Sequence, residues 1–385
     1  MSDNTVLHVG KVSGISGSEA HLLTLLPDLG ERGWDVRFAH LHENEPGAAE
    51  FARRLTEAGV SVEGIRLPHA ADPRAFARLL RFVRRTKPQI LHTHLVHADF
   101  HGLIAGALAR VPVQVSTKHG FNSFRERRAF AVADRGVARL AQLQIAISGG
   151  LARYLAETEG FDEHAFEIVH YGIAAGPEPA PYLGGSRLLC VGRLVPVKGI
   201  DTLLRAFPLA LREQPDLTLD IAGDGPLRGE LESLAADLGL GDSVRFLGRV
   251  DGVGAEMEKA AAIVVPSRGE GFGMVAHEAA ERGRPVIASA VGGLPEIVAD
   301  GRTGILVPSG DVPALAAAMV DLVRDLDRAA VIGRAARERA LAEFSLARCA
   351  DRTDALYREA LDRRASSRST ATPASSASTK SHGTR

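Results

Sequence analysis

Two glutamates, Glu270 and Glu278, lie eight positions apart in "RGEGFGMVAHEA", on either side of a Gly-Phe-Gly turn. Carboxylates flanking backbone this bare suit a ligand rich in hydroxyls, because glycine lets a ligand approach the main chain closely. Simple solvation is the competing reading, since Glu is among the commonest surface residues. A second loop, "VGRLVPVKG", places Arg193 and Lys198 five apart, directly after an apolar run. That pairing suits a diphosphate: Arg forks across two oxygens and Lys acts as a point charge. A solvated loop would account for this fragment equally well.

The flanking patterns give the first motif its setting. "AAIVVPS" reads as a strand, "RGEGFG" as a loop and "MVAHEAAERG" as the start of a helix. The amides of Gly273, Met274 and Val275 would then be unpaired donors at a helix N-terminus, facing an anion or a sugar oxygen. Glu278 falls about one turn in, where it can take paired hydroxyls such as those of a ribose. Glu270 precedes the turn and reaches the other end of the same ligand. Each charge-assisted hydrogen bond of this kind contributes roughly 1.5–3 kcal/mol.

Short β-branched runs ("TVLHVG", "WDVRFAHL", "QILHTHL", "PVQVSTKHG") alternate with longer helical patterns, which argues for right-handed βαβ units and parallel sheets. The proline-rich stretch "GPEPAPYLGG", Gly176 to Gly185, interrupts the pattern, and the alternation then restarts with "RLLCVG" and "LTLDIAG". The expected class is α/β, with two Rossmann-like doubly wound domains. The expected division is an N-terminal domain over 1–176, a linker over 177–185 and a C-terminal domain over 186–345. A helix over 346–364 then crosses back. The tail, 365–385, holds 11 Ser or Thr in 21 positions and is expected to be disordered. Ligands of such sheets bind outside the carboxyl ends of the strands, so two such edges could face each other across a cleft.

Composition narrows the classes. A net charge of −1 gives no global field toward nucleic acid. Two cysteines, Cys190 and Cys349, exclude a disulfide framework and suit a reducing compartment, with Cys190 read as a buried apolar filler. No signal-peptide pattern and no apolar run of membrane-spanning length is seen, so a cytoplasmic location is expected. Neither G-x-G-x-x-G nor G-x-x-x-x-G-K-[ST] occurs, which weakens a nicotinamide dehydrogenase or a P-loop enzyme. "HTHLVHADFH" supplies His92, His94 and His97, a metal-ligand spacing that keeps a metal-dependent hydrolase open as an alternative. In that segment Asp99 is placed to serve a helix N-terminus. Asp325-Leu326-Asp327 lies in a polar helical stretch and reads as surface.

"GRLVPVKG", "IAGDGPLR", "PSRGEGFGMVAHEA", "GGLPEIVADGRTGILVPSGD" and, near the start, "SGSE" together resemble the retaining glycosyltransferases of family four, from about Val6 to Tyr357. The resemblance implies the GT-B fold and transfer of a sugar from a UDP- or GDP-type donor to a hydroxyl acceptor, with retention and without a metal or other cofactor. It implies that Arg193 and Lys198 hold the diphosphate and that Glu278 binds the ribose. Glu270 would bind hydroxyls of the transferred sugar, helped by the amides of Gly273, Met274 and Val275. Gly17 would approach the diphosphate from the opposite domain, and Val250 would meet the base through its backbone. His119, in "VSTKHG", matches the cleft histidine beside the reacting carbon. A sugar-nucleotide epimerase on the same fold is a further alternative. Ala174 stands where relatives commonly carry Asp, so a hinge or capping bond is expected to be missing.

The acceptor side falls to the N-terminal domain. There Asp72 to Pro88 holds six basic residues against one acid, and Arg125, Arg127, Arg128, Arg135 and Arg139 follow. These are expected either as ordinary surface helices or as contacts with an anionic membrane surface that presents a lipid-linked acceptor. The other expected partners are the nucleotide-sugar donor and a glycan acceptor.

Overall fold

The computed structural model describes residues 4–69, 72–121 and 128–370. Its first lobe is a sheet of β1 (Thr5–Lys11), β2 (Asp35–His42), β3 (Ser61–Arg66), β4 (Ile90–His94), β5 (Val113–Lys118), β6 (Leu143–Ala146) and β7 (Phe166–Ile168), in the order β3-β2-β1-β4-β5-β6-β7. The second lobe holds β8 (Arg187–Val191), β9 (Thr218–Ala222), β10 (Val244–Gly248), β11 (Ala262–Val265), β12 (Val286–Ser289) and β13 (Ile305–Val307), in the order β10-β9-β8-β11-β12-β13. Every pairing is parallel. Helices cover both faces, so the central strands read as apolar runs: Val6, Leu7 and Val9 are all fully buried. In each sheet the strand order reverses beside the first strand, between β1 and β4 and between β8 and β11. The fold therefore places two switch points at the strand ends that carry "SGSE", "GRLVPVKG" and "RGEGFG".

The lobes share an apolar seam. Ile147, Leu151, Leu155 and Tyr171 from the first lobe pack in one cluster with Phe272, Leu294, Ile297 and Phe344 from the second. The chain returns across it as expected. The helix Leu346–Thr370 lies on the first lobe, where Trp34 Nε1 donates to Asp354 at 2.7 Å and Tyr357 is fully buried. At the crossing, the Ile173 amide donates to Phe344 at 3.2 Å and Leu346 donates back to the Ile173 carbonyl at 2.9 Å. These backbone bonds join the two crossing segments, and the neighbouring Ala174 side chain is exposed.

Two expectations are corrected. The last helix runs to Thr370 rather than ending at Arg364. Ser366 donates to the Asp362 carbonyl and Ser367 to that of Arg364, both at 3.0 Å, so the exposed turns continue without a core. The rest of the expected tail, 371–385, lies outside the described residues. Asp99 does not cap a helix; it is a buried counter-ion. Its carboxylate takes Lys118 Nζ at 2.7 Å, Thr93 Oγ1 at 2.5 Å and Ser116 Oγ at 2.8 Å, and Lys118 also reaches Asp134 at 3.2 Å. Lys118, Asp99 and Asp134 have no side-chain exposure. The cluster pins the end of β5, from which His119 projects. Removing one partner of a buried pair leaves an uncompensated charge, so Asp99→Ala is expected to cost about 3–5 kcal/mol in urea unfolding. A loss under about 1 kcal/mol would show the cluster to be dispensable.

Candidate active site in the interlobe cleft

The Gly-Phe-Gly turn is built by three different demands. Phe272 is buried in the interlobe seam, edge-on to Tyr171 with ring centroids 5.5 Å apart. Gly271 lies against the N-terminal lobe, where a Cβ would stand 3.1 Å from the His119 carbonyl oxygen. Gly273 has φ 108°, a left-handed value that favours glycine, and starts the helix Met274–Glu281. That helix N-terminus opens toward the N-terminus of the helix Gly17–Glu31. A Cβ on Gly17 would come 3.4 Å from Met274 Cγ. Two helix N-termini thus lie close together, the one at Gly17 carrying a capping box in which Glu19 accepts from the Ser16 amide at 3.2 Å.

Arg193 and Lys198 leave β8 as the sequence pattern requires. The chain then turns at Gly199, whose φ is 63° and whose Cβ would clash with the Pro266 carbonyl at 2.1 Å. This tight approach brings the two motifs together: Lys198 Nζ donates to Glu270 Oε2 at 2.6 Å, and Ser267 Oγ donates to the same oxygen at 3.1 Å. Arg268 is occupied elsewhere, by Asp201 at 2.8 and 2.6 Å. Arg193 is exposed and lines a cavity of about 400 Å³ with Arg249 and with Ser13, Gly14, Ser16 and Glu19 of the opposite lobe. Met274, Val275 and Val250 pack on one apolar cluster with Val191, so Val250 borders the same region.

Glu278 is a partly buried carboxylate that makes no side-chain hydrogen bond among the described residues. Burial raises its pKa above the usual carboxylate value, against the pull of Arg282 and with a further push from Glu281. A ligand that brings hydroxyl donors would relieve that desolvation. His119 lies at the mouth of the first lobe, but both its ring nitrogens are engaged inward. Nε2 meets His94 Nδ1 at 2.9 Å, and Nδ1 meets the Tyr171 hydroxyl. Its backbone, rather than its ring, touches the Gly271 turn.

The sequence-derived histidine trio is divided. His92 and His94 cluster with His8, ligand atoms within 4.8 Å of one another, whereas His97 stands half-buried beside Lys11 and Glu43. Both nitrogens of His92 meet hydroxyls, Tyr357 at 2.5 Å and Thr117 at 2.6 Å. His8 thus takes the place the sequence reading gave to His97, and the three rings are joined to one another and to hydroxyls, His8 Nδ1 meeting His94 Nε2 at 2.8 Å. Asp325 caps the helix Leu326–Glu343 by accepting from Arg328 at 2.9 Å, and it is exposed, as read. Burial pushes the Cys190 thiol up to about 12, the behaviour of an inert filler.

Sequence reasoning missed Arg249 and Glu296. Glu296, within "GGLPEI", accepts the Gly149 amide at 3.1 Å, the Gly150 amide at 2.8 Å and His170 Nε2 at 2.7 Å, all from the first lobe. Gly150 cannot carry a Cβ there, since it would lie 2.1 Å from the Gly292 carbonyl oxygen. Proximity to two Gly-Gly steps was the available signal, but it does not reveal a partner in another domain.

The fold is that of the GT-B glycosyltransferases. Among solved structures, Anabaena HepE in complex with UDP and glucose superposes with a TM-score of 0.81 at 20% identity, over 92% of this chain and 100% of that one. Sucrose-phosphate synthase from Thermosynechococcus elongatus gives 0.73 at 25% identity, over 94% and 100%. The family model "Glycosyltransferase Family 4" matches residues 15–175, and "Glycosyl transferases group 1" matches 185–325. A Mycobacterium tuberculosis glycogen synthase is 32% identical over 289 residues, 71% of this chain and 69% of that protein. The chain belongs to the family four, group 1 glycosyltransferases. The GDP-mannose-dependent alpha-(1-6)-phosphatidylinositol monomannoside mannosyltransferase of Mycolicibacterium smegmatis is 42% identical over 166 residues, spanning 40% of this chain and 43% of that protein.

The Glu296 contact yields a pH-dependent expectation. Burial would raise its pKa, but the hydrogen bonds from His170 and from the Gly150 and Gly149 amides outweigh that and lower it. A carboxylate with a depressed folded pKa contributes fully above its unfolded value of about 4.3, and that contribution is lost as pH falls through the folded value. Glu296→Gln should therefore lower the thermal midpoint at neutral pH, with the gap to wild type closing in acid. An equal gap at pH 7 and at about pH 3 would contradict this assignment.

Proposed function

We propose that this chain is a retaining, metal-independent glycosyltransferase that moves a sugar from a UDP- or GDP-type donor to a hydroxyl acceptor. The observation that carries the reading is the Lys198–Glu270 contact at 2.6 Å, which joins the cationic loop and the Gly-Phe-Gly turn at facing helix N-termini. In the donor complex Lys198 leaves Glu270 for the diphosphate, where Arg193 forks across the oxygens. Glu270, released, takes hydroxyls of the transferred sugar. Glu278 recovers its desolvation cost by accepting from the ribose diol. Gly17 and the amides of Gly273, Met274 and Val275 close on the donor, and Val250 meets the base.

Negative charge develops on the departing diphosphate, and pre-placed cations and helix amides stabilise it there without reorganisation. These groups take the role that a metal plays in other transferases. Retention follows from front-face attack, with the departing phosphate accepting the proton of the incoming hydroxyl. The ion pair and the Ser267 bond fit Glu270 to holding hydroxyls better than to acting as a nucleophile. His119 reaches the sugar with a ring nitrogen only by exchanging one of its inward partners.

The acceptor enters over the first lobe. The mannosyltransferase relative is named for a phosphatidylinositol glycolipid, and a lipid-linked or polyol acceptor is the corresponding reading here. The helix Pro73–Thr86 buries Leu79, Phe82 and Val83, so its apolar residues belong to the core. Its outer face exposes Arg74, Arg78, Arg81, Arg84 and Arg85. Any membrane contact made by this helix is therefore electrostatic, and the apolar face does not insert. Arg135 and Arg139 add to the basic character, while Arg125 and Arg127 lie outside the described residues. No helix among the described residues is long and apolar enough to cross a membrane.

Thermal shift with UDP-, GDP- and ADP-sugars tests the donor site. A ligand at about 100 times its Kd stabilises the native state by about 2.7 kcal/mol. One donor should stand out, and Glu278→Ala or Lys198→Ala should abolish its shift. Free nucleoside diphosphate released only with acceptor present, and undiminished by EDTA, distinguishes a transferase from an epimerase or metallo-hydrolase. No shift with any nucleotide sugar would overturn the reading. Separately, co-sedimentation with phosphatidylglycerol vesicles should be lost in Arg78→Glu/Arg81→Glu and in high salt. Binding that is insensitive to both would remove the electrostatic contact.

A further inference from the structure

We infer that His94 and His8 are positioning residues that hold the cleft histidine, His119, in one tautomer through a buried file of imidazoles. Its effect on turnover rests on the transferase reading; the tautomer itself does not. The file runs from the core to the cleft: His8 Nδ1 meets His94 Nε2 at 2.8 Å, His94 Nδ1 meets His119 Nε2 at 2.9 Å, and His119 Nδ1 meets Tyr171 Oη. His92 packs beside it, ring centroids 4.3 Å from His94, but its nitrogens are already taken by Tyr357 and Thr117. Burial lowers His8 and His119 to about 3 and His94 well below the ordinary value, so the rings are neutral near pH 7.

A neutral imidazole has one N–H and one bare nitrogen, so the file has only two consistent senses. If Tyr171 donates to His119, every ring donates inward and the last N–H falls on His8 Nε2. That atom is buried and has no hydrogen-bond partner among the described residues, and His8 has no solvent exposure. In the opposite sense His8 donates to His94, His94 donates to His119 Nε2, and His119 Nδ1–H donates to Tyr171. His8 Nε2 is then a bare acceptor, the less costly orphan. The Tyr171 O–H then needs an acceptor of its own; Tyr171 lines a cavity of about 20 Å³, room for one water to accept it, whereas His8 is not among the residues that line that cavity. His119 therefore carries its proton on Nδ1, and a sugar oxygen competes with Tyr171 for that one donor.

Nitrogen-15 histidine spectra of the full chain read the tautomer directly. Wild type should show His119 protonated at Nδ1 and bare at Nε2. His94→Leu and His8→Phe should each convert it to a mixture or to the Nε2–H form, while His94→Gln, whose amide can donate, should restore it in part. With the donor identified by thermal shift, His94→Leu should lower kcat by about 10²-fold, as misplacement of a reacting group does, with donor KM changed less than about threefold. Where His94→Leu does not fold, the ring-sized His8→Phe, one step further from the cleft, carries the same test. Wild-type His119 in the Nε2–H form, a tautomer unmoved in every variant, or a shifted tautomer with unchanged kcat would overturn the inference. Absence of turnover in wild type with every donor counts against the transferase reading and leaves the spectral test standing.

Discussion

Three donors from one lobe converge on a single carboxylate of the other, and the cleft depends on that convergence. Glu296 closes the N-terminus of the helix Gly149–Glu159 with two amide bonds and holds His170 as well. The first turn of a helix has amides without internal partners, and a carboxylate is the strongest neutral-pH acceptor available to them. The interaction therefore ties polar groups across the lobe boundary, beside the apolar seam around Phe272. Gly150 and Gly292 permit the contact, since a Cβ on either would strike a carbonyl at about 2 Å.

With the lobes so held, two sheet edges present their switch points to one space. The cationic loop and the Gly-Phe-Gly turn gather there because a parallel sheet delivers each strand's carboxyl end to the same side. The Lys198–Glu270 pair lies at this space, each charge neutralising the other; in the donor complex proposed above, a diphosphate and sugar hydroxyls would separate them. The arrangement also gives Glu278 its character. It is partly buried and makes no side-chain hydrogen bond among the described residues.

The N-terminal lobe contributes differently. Its chemistry-bearing residues are mostly buried and bonded to one another: the Lys118–Asp99–Asp134 cluster and the histidine file lie directly beneath the cleft. Charged and neutral polar groups are thus segregated by face, with Lys118 pointing into the ion cluster and the adjacent His119 into the file. Alternation along β5 and its continuation accounts for this, as neighbouring side chains point to opposite faces.

Alternating β-branched and helical patterns made the two doubly wound domains legible, because hydrophobic periodicity reports which faces must leave water. The two loops that meet at Lys198 and Glu270 were legible too, since their residue types, glycine spacing and flanking strands are local in the chain. Glu296, Arg249, the division of His92 and His94 from His97, and the inward engagement of His119 were not. Each depends on which residue from a distant segment arrives within about 3 Å, a distance set by sheet order and lobe packing. The course of the helix past Arg364 was likewise hidden, because exposed serines that bond back to their own helix leave no apolar trace. Sequence alone thus settled the elements and the local motifs; only the folded chain decided which polar groups satisfy one another, because a hydrogen bond is specific to geometry while burial is specific only to pattern.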